Sequence, residues 1–402
     1  MRDLLRRNAD FRRLFLASVV SLAGDWFSFV AVAGLVTELT GRPGAPAFVY
    51  AATVLPVFVA SPLAGAIADR FDRKRILVIA DLVRVPIALA LCAAAAWQST
   101  ALAIAAVIAL AVGASFSDPV ASAATPNLVD ADELASAQSL MGAVWGSMLM
   151  VGAGIGGLVA ELFGRQTAFV VDAASFAISA WLHAGIRRPM QQAVAARGGG
   201  SVREALRYLR DTPLVLRLIF AKGGVSSANG IVGLLPTFAA SRFAGTSIAT
   251  GLLFAARGLG AMVGPMLARG AIGATPGRRA VIVVCGVSTL TYSALYAVFP
   301  FAHAFAAALV VVMLAHLGGG AQWSLSTYGL QRETPDQFRG RVLSLDYGLA
   351  TLAIGASSIA AGLLADAWGE AAATWWLAAI GGGYGVLWLA WSLGHRSARA
   401  AQ

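Results

Sequence analysis

The sequence predicts an all-α, polytopic membrane protein with twelve transmembrane helices in two pseudo-symmetric six-helix halves. Three observations carry this. Of 402 residues, 58% are hydrophobic and only 12% charged, against about 25% charged in soluble globular domains, and the mean hydropathy is +0.74. Apolar runs of the roughly 20 residues needed to cross hydrocarbon recur twelve times between charge clusters. The two halves of the chain also match in a single register. Multi-domain soluble, disordered and disulfide-stapled classes are excluded by the scarcity of charge.

The runs lie near 13–37, 47–68, 76–97, 101–123, 135–162, 167–186, 213–241, 247–268, 280–300, 304–330, 342–365 and 371–394. Only helices satisfy their own backbone within such segments. The first run is too long for a signal-peptide core and lacks a small-residue cleavage site, so it is expected to remain as span 1. With twelve spans, 23 of the 30 Lys and Arg residues fall on the side that carries both termini, and Arg42, Arg165 and Arg242 fall on the other. By the positive-inside rule the termini are expected in the cytoplasm, with the chain in the bacterial inner membrane. The net charge of +10 is thus read as a topology signal. It is spread over seven segments and forms no single basic face, so no nucleic-acid partner is expected. Cys92 and Cys285 sit within spans, and no metal-ligand spacing is present.

A shift of 205 residues aligns Gly157–Gly164 (GLVAELFG) with Gly362–Gly369 (GLLADAWG), and Arg12, Phe15 and Ser21 with Arg217, Phe220 and Ser226. The expected organisation is a half at 1–186, a basic cytoplasmic linker at 187–212 with an amphipathic helix from Ser201 to Arg210, and a half at 213–402. Parallel six-helix halves around a central site are one plan of secondary transporters.

Polar residues in hydrocarbon are costly and face a bundle interior or a wet cavity. Stripes at helical spacing run along span 1 (Ser18, Ser21, Asp25, Ser28), span 4 (Ser115, Asp118, Ser122, Thr125), span 7 (Lys222, Ser226, Asn229, Gly233) and span 10 (Gly320, Ser324, Thr327, Gln331). Spans 2, 3, 6, 9 and 12 read as nearly uniform apolar helices. Trp375, Trp376, Trp388 and Trp391 near the ends of span 12 fit interfacial anchoring. The striped spans are expected to enclose an aqueous path, with Ser21, Trp26, Ser28, Ser115, Ser226, Asn229, Trp323, Ser324, Thr327 and Tyr328 lining it. Close packing of small residues is the competing reading for the serines.

Asp25 lies about 18 Å along span 1, near the midplane. Three roles stand open for it: exchanging a proton, standing in a permanent ion pair with Lys222 or Arg257, or touching cargo. Arg257 reads as a counter-charge. Lys222, within about 14 Å of the span end, is a candidate proton-coupling or cavity charge, with snorkelling to the span end as the competing reading. Asp118, beside Pro119, is a candidate proton-coupling or cavity charge, with capping or kinking of its helix as the competing reading.

Between spans 2 and 3 runs Gly65-Ala-Ile-Ala-Asp69-Arg70-Phe-Asp72-Arg73-Lys74-Arg75. It resembles the signature loop of the major facilitator superfamily, G-x-x-x-D-R-x-G-R-R/K, with Asp72 in place of the second glycine. That replacement occurs in a drug- and siderophore-exporting branch. Asn8, Phe11–Leu14, Gly24-Asp25-Trp26, Pro126–Val129 and Arg339–Val342 are similar to the same macrolide-efflux and enterobactin-exporter branch. The resemblance implies that Asp69 latches onto the start of span 11 near Arg341–Ser344, with Asp346 relaying charge. It also implies secondary export driven by a proton or other ion gradient, with no bound cofactor. The arginine that some antiporters carry in span 4 is absent, and the glycine run 152–157 lacks the usual Gly-Pro pair.

The aromatics Trp26, Phe29, Phe116, Trp145, Trp323 and Tyr328 favour a small amphipathic or hydrophobic substrate over a sugar. The expected partners are that substrate and the lipid bilayer, with the chain as a monomer. A lysophospholipid flippase or a nutrient importer of the same fold is the nearest alternative, and a non-transporting receptor a more distant one. The four histidines (His183, His303, His316, His395) form no catalytic or metal set, and only His316 reads as deep, so an enzyme is not expected.

Overall fold

The computed structural model describes residues 2–130, 133–191, 202–243, 245–273 and 276–394, which are helical throughout with no strand among them. Twelve membrane-length helices follow in order: α1 Ala9–Thr40, α2 Ala45–Arg70, α3 Arg73–Ala96, α4 Thr100–Leu128, α5 Leu134–Phe163, α6 Arg165–Ala184, α7 Pro213–Arg242, α8 Ser247–Ile272, α9 Arg278–Val298, α10 Phe305–Glu333, α11 at 336–368 and α12 at 370–394. The last two are continuous except at Gly369 (φ 82°, ψ 163°).

Local chemistry sets the boundaries. Asn8 caps α1 by accepting from the Phe11 N–H, while its amide donates to the Leu128 carbonyl at 2.7 Å. Asp72 and Ser99 cap α3 and α4 in the same way, each satisfying a helix N–H that has no partner within the helix. The α5–α6 break is made by Gly164 (φ 83°, ψ 158°). A Cβ on Gly164 or Gly369 would meet nothing within 4 Å, so each glycine is required only for its positive φ. The two are related by the 205-residue register, and the repeat therefore extends to backbone conformation.

Contacts sort the described residues into two compact units. The first comprises those within 1–197 together with 235–255, the second those within 198–234 together with 256–402. Residues 235–255, which the register assigns to the second half of the chain, pack within the first unit. There Thr237 donates to the Pro43 carbonyl at 2.6 Å, and the Ser247 N–H donates to Glu161 at 2.8 Å.

In the first unit α1 packs on α5 and α6, and α3 on α4 and α6. The glycine run of α5 makes these approaches possible. A Cβ on Gly156 would lie 2.7 Å from the Phe27 Cα, and one on Gly157 would lie 2.5 Å from the Ser247 carbonyl oxygen. Lipid tails are as apolar as leucine, so close backbone contact of this kind is what holds such helices together. Large apolar side chains such as Leu162 and Trp181 stay exposed, as lipid-facing surface requires.

In the second unit α9 packs on α10 and α12, and α7 on α11. α7 is broken into short pieces, including a 3₁₀ turn at Phe220–Lys222. One break has a visible cause. In a regular helix the Gly230 N–H would donate to the Ser226 carbonyl. Instead it donates to Ser357 Oγ at 2.9 Å, and that hydroxyl donates to the Ser226 carbonyl, also at 2.9 Å. Ser357 is thus a wedge in the helix ladder, one of the recognised causes of a kink. Gly230 admits it, since a Cβ there would sit 2.1 Å from the Ser357 carbonyl oxygen. Near the 3₁₀ turn, the Arg217 and Phe220 carbonyls accept from Trp388 Nε1 and Tyr384 Oη. Trp388 is therefore buried structure, whereas Trp375, Trp376 and Trp391 remain exposed.

Of the expected linker, residues 192–201 lie outside the described residues, Ser201 among them. The short helix Val202–Asp211 is present. Tyr208 stacks on Phe338 and donates to the Glu333 carbonyl, and Leu209 joins the core of the second unit. Replacing Ser357 by Ala strands the Gly230 N–H or lets the ladder close, while the Ser226 carbonyl keeps the Asn229 N–H at 3.2 Å. We expect a loss of about 1–3 kcal/mol, read as a lower thermal midpoint, with Ser227→Ala, at a half-buried serine, as the control for loss of a hydroxyl on the same helix.

Candidate functional site

The first unit buries a connected set of ionisable groups where α1, α3 and α6 meet. Asp25 and Arg84 form a bidentate pair, with Arg84 Nη2 at 2.6 and 2.9 Å from the two carboxylate oxygens. Arg84 Nη1 donates to Ser21 Oγ at 3.2 Å and lies 3.8 Å from Asp81 Oδ1. The guanidinium stacks 3.8 Å from the Phe176 ring centroid, and its stem fills the space left by Gly113. Asp81 in turn accepts from Ser179 Oγ at 2.6 Å and lies 2.9 Å from His183 Nδ1. Next to this set, Ser28 donates to the fully buried Asp172. Arg84 is 2% exposed and Asp81 1%, whereas Asp25 is 30% exposed. The arginine is therefore locked, and Asp25 is the accessible member of its pair.

Several expectations change here. The partner of Asp25 is Arg84, not Lys222 or Arg257. Spans 3 and 6 are not uniformly apolar, because α3 contributes Asp81 and Arg84, and α6 contributes a buried stripe of Asp172, Ser175, Ser179 and His183. His183 is as deeply buried as His316. Asp118 is exposed on α4, and Ser115 is buried with its hydroxyl on the Ala111 carbonyl. Trp26 packs in an aromatic group with Phe29, Trp145 and Phe254.

The second unit holds a different pair. Lys222 Nζ contacts Asp346 Oδ2 in an ion pair and donates to Thr327 Oγ1 at 2.9 Å, 5.0 Å from the Trp323 ring centroid. The two charged side chains are 2% and 4% exposed. Lys222 therefore does not snorkel, and Asp346 serves this pair. Deeper in the unit, Asn229 donates to Tyr292 Oη, and Tyr296 Oη lies 2.9 Å from His316 Nε2. Arg257 is buried on α8, one turn before Gly260, whose backbone packs on His316. Ser226 is buried, Tyr328 is half-buried under the Arg332 guanidinium, and Ser324 is exposed. Among the described residues no group of three His, Cys, Asp or Glu is placed to hold a metal ion.

Of the motif Gly65–Arg75, Gly65, Asp69 and Arg70 lie in the last turns of α2, and the side chains of Asp69 and Arg70 lie outside the described residues. Asp72 is the cap of α3. Arg73 donates to the carbonyls of Ala123 and Met190, and Lys74 to that of Ile186. These cations tie the segment after α6 to the first unit.

The family model for transmembrane secretion effectors matches residues 5–395. The chain belongs to this family, within the major facilitator superfamily of transporters. It is 26% identical to the multidrug efflux pump Tap of Mycolicibacterium fortuitum over 89% of each chain. It is 25% identical to the uncharacterized MFS-type transporter YfiS of Bacillus subtilis over 54% of this chain, a match that spans about half (52%) of that relative. Among solved structures, a D-xylose-proton symporter aligns over 94% of this chain and 96% of its own with a TM-score of 0.71 at 16% identity. The nucleoside transporter NupG aligns over 96% of this chain and 98% of its own with a TM-score of 0.67 at 14% identity. These last two show the fold alone. The chain is a membrane transporter and not an enzyme.

Arg84 is the cation that faces both Asp25 and Asp81, and removing it leaves buried charge uncompensated. Arg84→Leu is expected to cost about 3–5 kcal/mol, and the double variant Asp25→Leu/Arg84→Leu less than that single change. Thermal melting of the detergent-purified proteins checks the order.

Proposed function

We propose that the chain is a secondary active exporter of small amphipathic or hydrophobic molecules, drug- or siderophore-like, driven by exchange for protons through alternating access. The observation that carries the reading is the Asp25–Arg84 pair, in which a locked cation faces a carboxylate that remains open at 30% exposure. A carboxylate so held can release its cation when it takes a proton and recapture it when the proton leaves. That is the chemistry an ion-coupled carrier needs. The likeness to Tap, named a multidrug efflux pump, supports outward movement of chemically varied cargo. On this reading the termini are cytoplasmic, the chain works as a monomer in the inner membrane, and the energy source is the proton gradient with no bound cofactor.

The test uses ethidium, a lipophilic cationic dye, in inverted membrane vesicles energised by a pH gradient. The wild type is expected to accumulate dye and to lose it on adding a protonophore. Asp25→Asn should abolish the pH-driven accumulation while dye binding, followed by fluorescence polarisation, stays measurable. Undiminished accumulation by Asp25→Asn removes this residue from coupling. Accumulation insensitive to the protonophore removes proton exchange.

A further inference from the structure

We propose that His183 and Asp81 form a second proton-holding station in the first unit, coupled to Asp25 through the shared arginine. The proposal rests on the proton-exchange reading above and adds a residue pair and a sequence of charge states to it.

The geometry is a line of contacts. Arg84 bridges two carboxylates, holding Asp25 bidentately and standing 3.8 Å from Asp81. Behind Asp81 stands His183, its Nδ1 2.9 Å from Asp81 Oδ2. His183 Nε2 is buried without a hydrogen-bond partner. With Nδ1 against a carboxylate, Nδ1 carries the hydrogen of the neutral ring, and Nε2 presents a free lone pair. A proton arriving at Nε2 makes an imidazolium whose counter-charge is already in place.

Charge balance then decides how many protons the line holds. Asp172, whose Oδ1 is buried without a hydrogen-bond partner, is counted as a neutral carboxyl; the remaining two carboxylates against one guanidinium leave one negative charge, and an interior of low dielectric favours neutrality. One proton supplies it, and there are two places to put it. On Asp25, it frees Arg84 for Asp81, whose charge is then spent, and His183 stays neutral. On His183 Nε2, it pairs the imidazolium with Asp81, and Arg84 belongs to Asp25. No covalent bond other than those to the migrating proton changes. The other groups around the line are fixed in role. On α6, Ser179 donates to Asp81, and Asp172 takes the Ser28 hydroxyl from α1. Asp118 on α4 is exposed. Arg13 on α1 lies beside Gly185, and Lys74 on α3 is committed to the Ile186 carbonyl.

The stations differ in depth. His183 is the penultimate residue of α6, at the basic end of the unit where Arg13 and Lys74 lie. Asp25 stands about 24 Å along α1 from its start at that end. A single proton that occupies one station or the other, never both, links the basic end to mid-membrane.

The test needs no cargo. Full-length protein labelled with ¹⁵N-histidine in lipid nanodiscs is titrated by NMR, and the His183 signal is identified by its loss in His183→Gln. If that variant does not fold, His303→Gln/His316→Gln/His395→Gln leaves His183 as the one remaining histidine signal. In the wild type, His183 is expected as the Nδ1–H tautomer when neutral. Asp25→Asn imitates the protonated carboxyl, so His183 should bind its proton at least about tenfold more weakly, its titration moving down by about one pH unit. Arg84→Gln should move it the opposite way, and if that variant does not fold Asp25→Asn alone decides. An Nε2–H tautomer, or a titration unchanged by Asp25→Asn, overturns the proposal. Both shifts with no proton-driven ethidium movement would leave the two-station line standing and overturn the export reading. Proton-driven ethidium movement with an unmoved His183 would do the reverse.

Discussion

Arg84 is the constraint on which the first unit turns. A guanidinium that is 2% exposed within a membrane helix is tolerable only if its charge is offset at close range and its planar faces and stem are packed. Each condition recruits a different helix. α1 supplies the carboxylate and the Ser21 hydroxyl, α6 the Phe176 ring, and α4 the gap at Gly113. Asp81, one turn away on the same helix, is then within range of the same charge and needs neighbours of its own, which Ser179 and His183 provide. The polar faces of α3 and α6 follow from a single buried cation.

The halves repeat in backbone but not in charge. Gly164 and Gly369 hold the same conformation 205 residues apart. In that register, however, Asp25 falls on Gly230, Asp81 on Gly286 and Arg84 on Thr289, while Lys222 falls on Ala17 and Asp346 on Met141. The positive-φ breaks at Gly164 and Gly369 are properties of the fold, and both halves keep them. The ionisable groups are placed independently in each. At Gly230 the second unit has a serine wedge and a broken helix where the first has a carboxylate.

The architecture was legible because hydrocarbon imposes a one-dimensional rule. A span must be apolar for about 20 residues, and a sliding window reads that directly. The axial stripe containing Asp25 and Ser28 was legible for a similar reason, as period and polarity coincide. Arg84 and Asp81 were not. They are two polar residues one turn apart in a span that is otherwise apolar, and a stripe needs more. The stripe on α6 was present as Asp172, Ser175, Ser179 and His183 at steps of 3, 4 and 4. Ala, Phe and Ile between them mask it. Partners were the harder part. Lys222 and Asp346 are 124 residues apart, and no spacing rule relates positions on different helices. Snorkelling is a rule for a lone lysine near a span end, and it loses once a carboxylate, a hydroxyl and an indole face are within reach.

The two pairs differ in a way that assigns them different work. Lys222 and Asp346 are one cation and one anion, both nearly sealed from solvent. The pair is neutral as it stands, and adding a proton to the aspartate would leave a buried ammonium uncompensated. Such a pair holds α7 to α11 beside the 3₁₀ turn at Phe220–Lys222. The Asp25–Arg84–Asp81 line is one charge out of balance and open at one end. Adding a proton there completes neutrality instead of breaking it. The same residue types therefore form a balanced joint in one unit and, on the proposed reading, a proton-accepting element in the other, and the difference lies in the count of carboxylates around each cation.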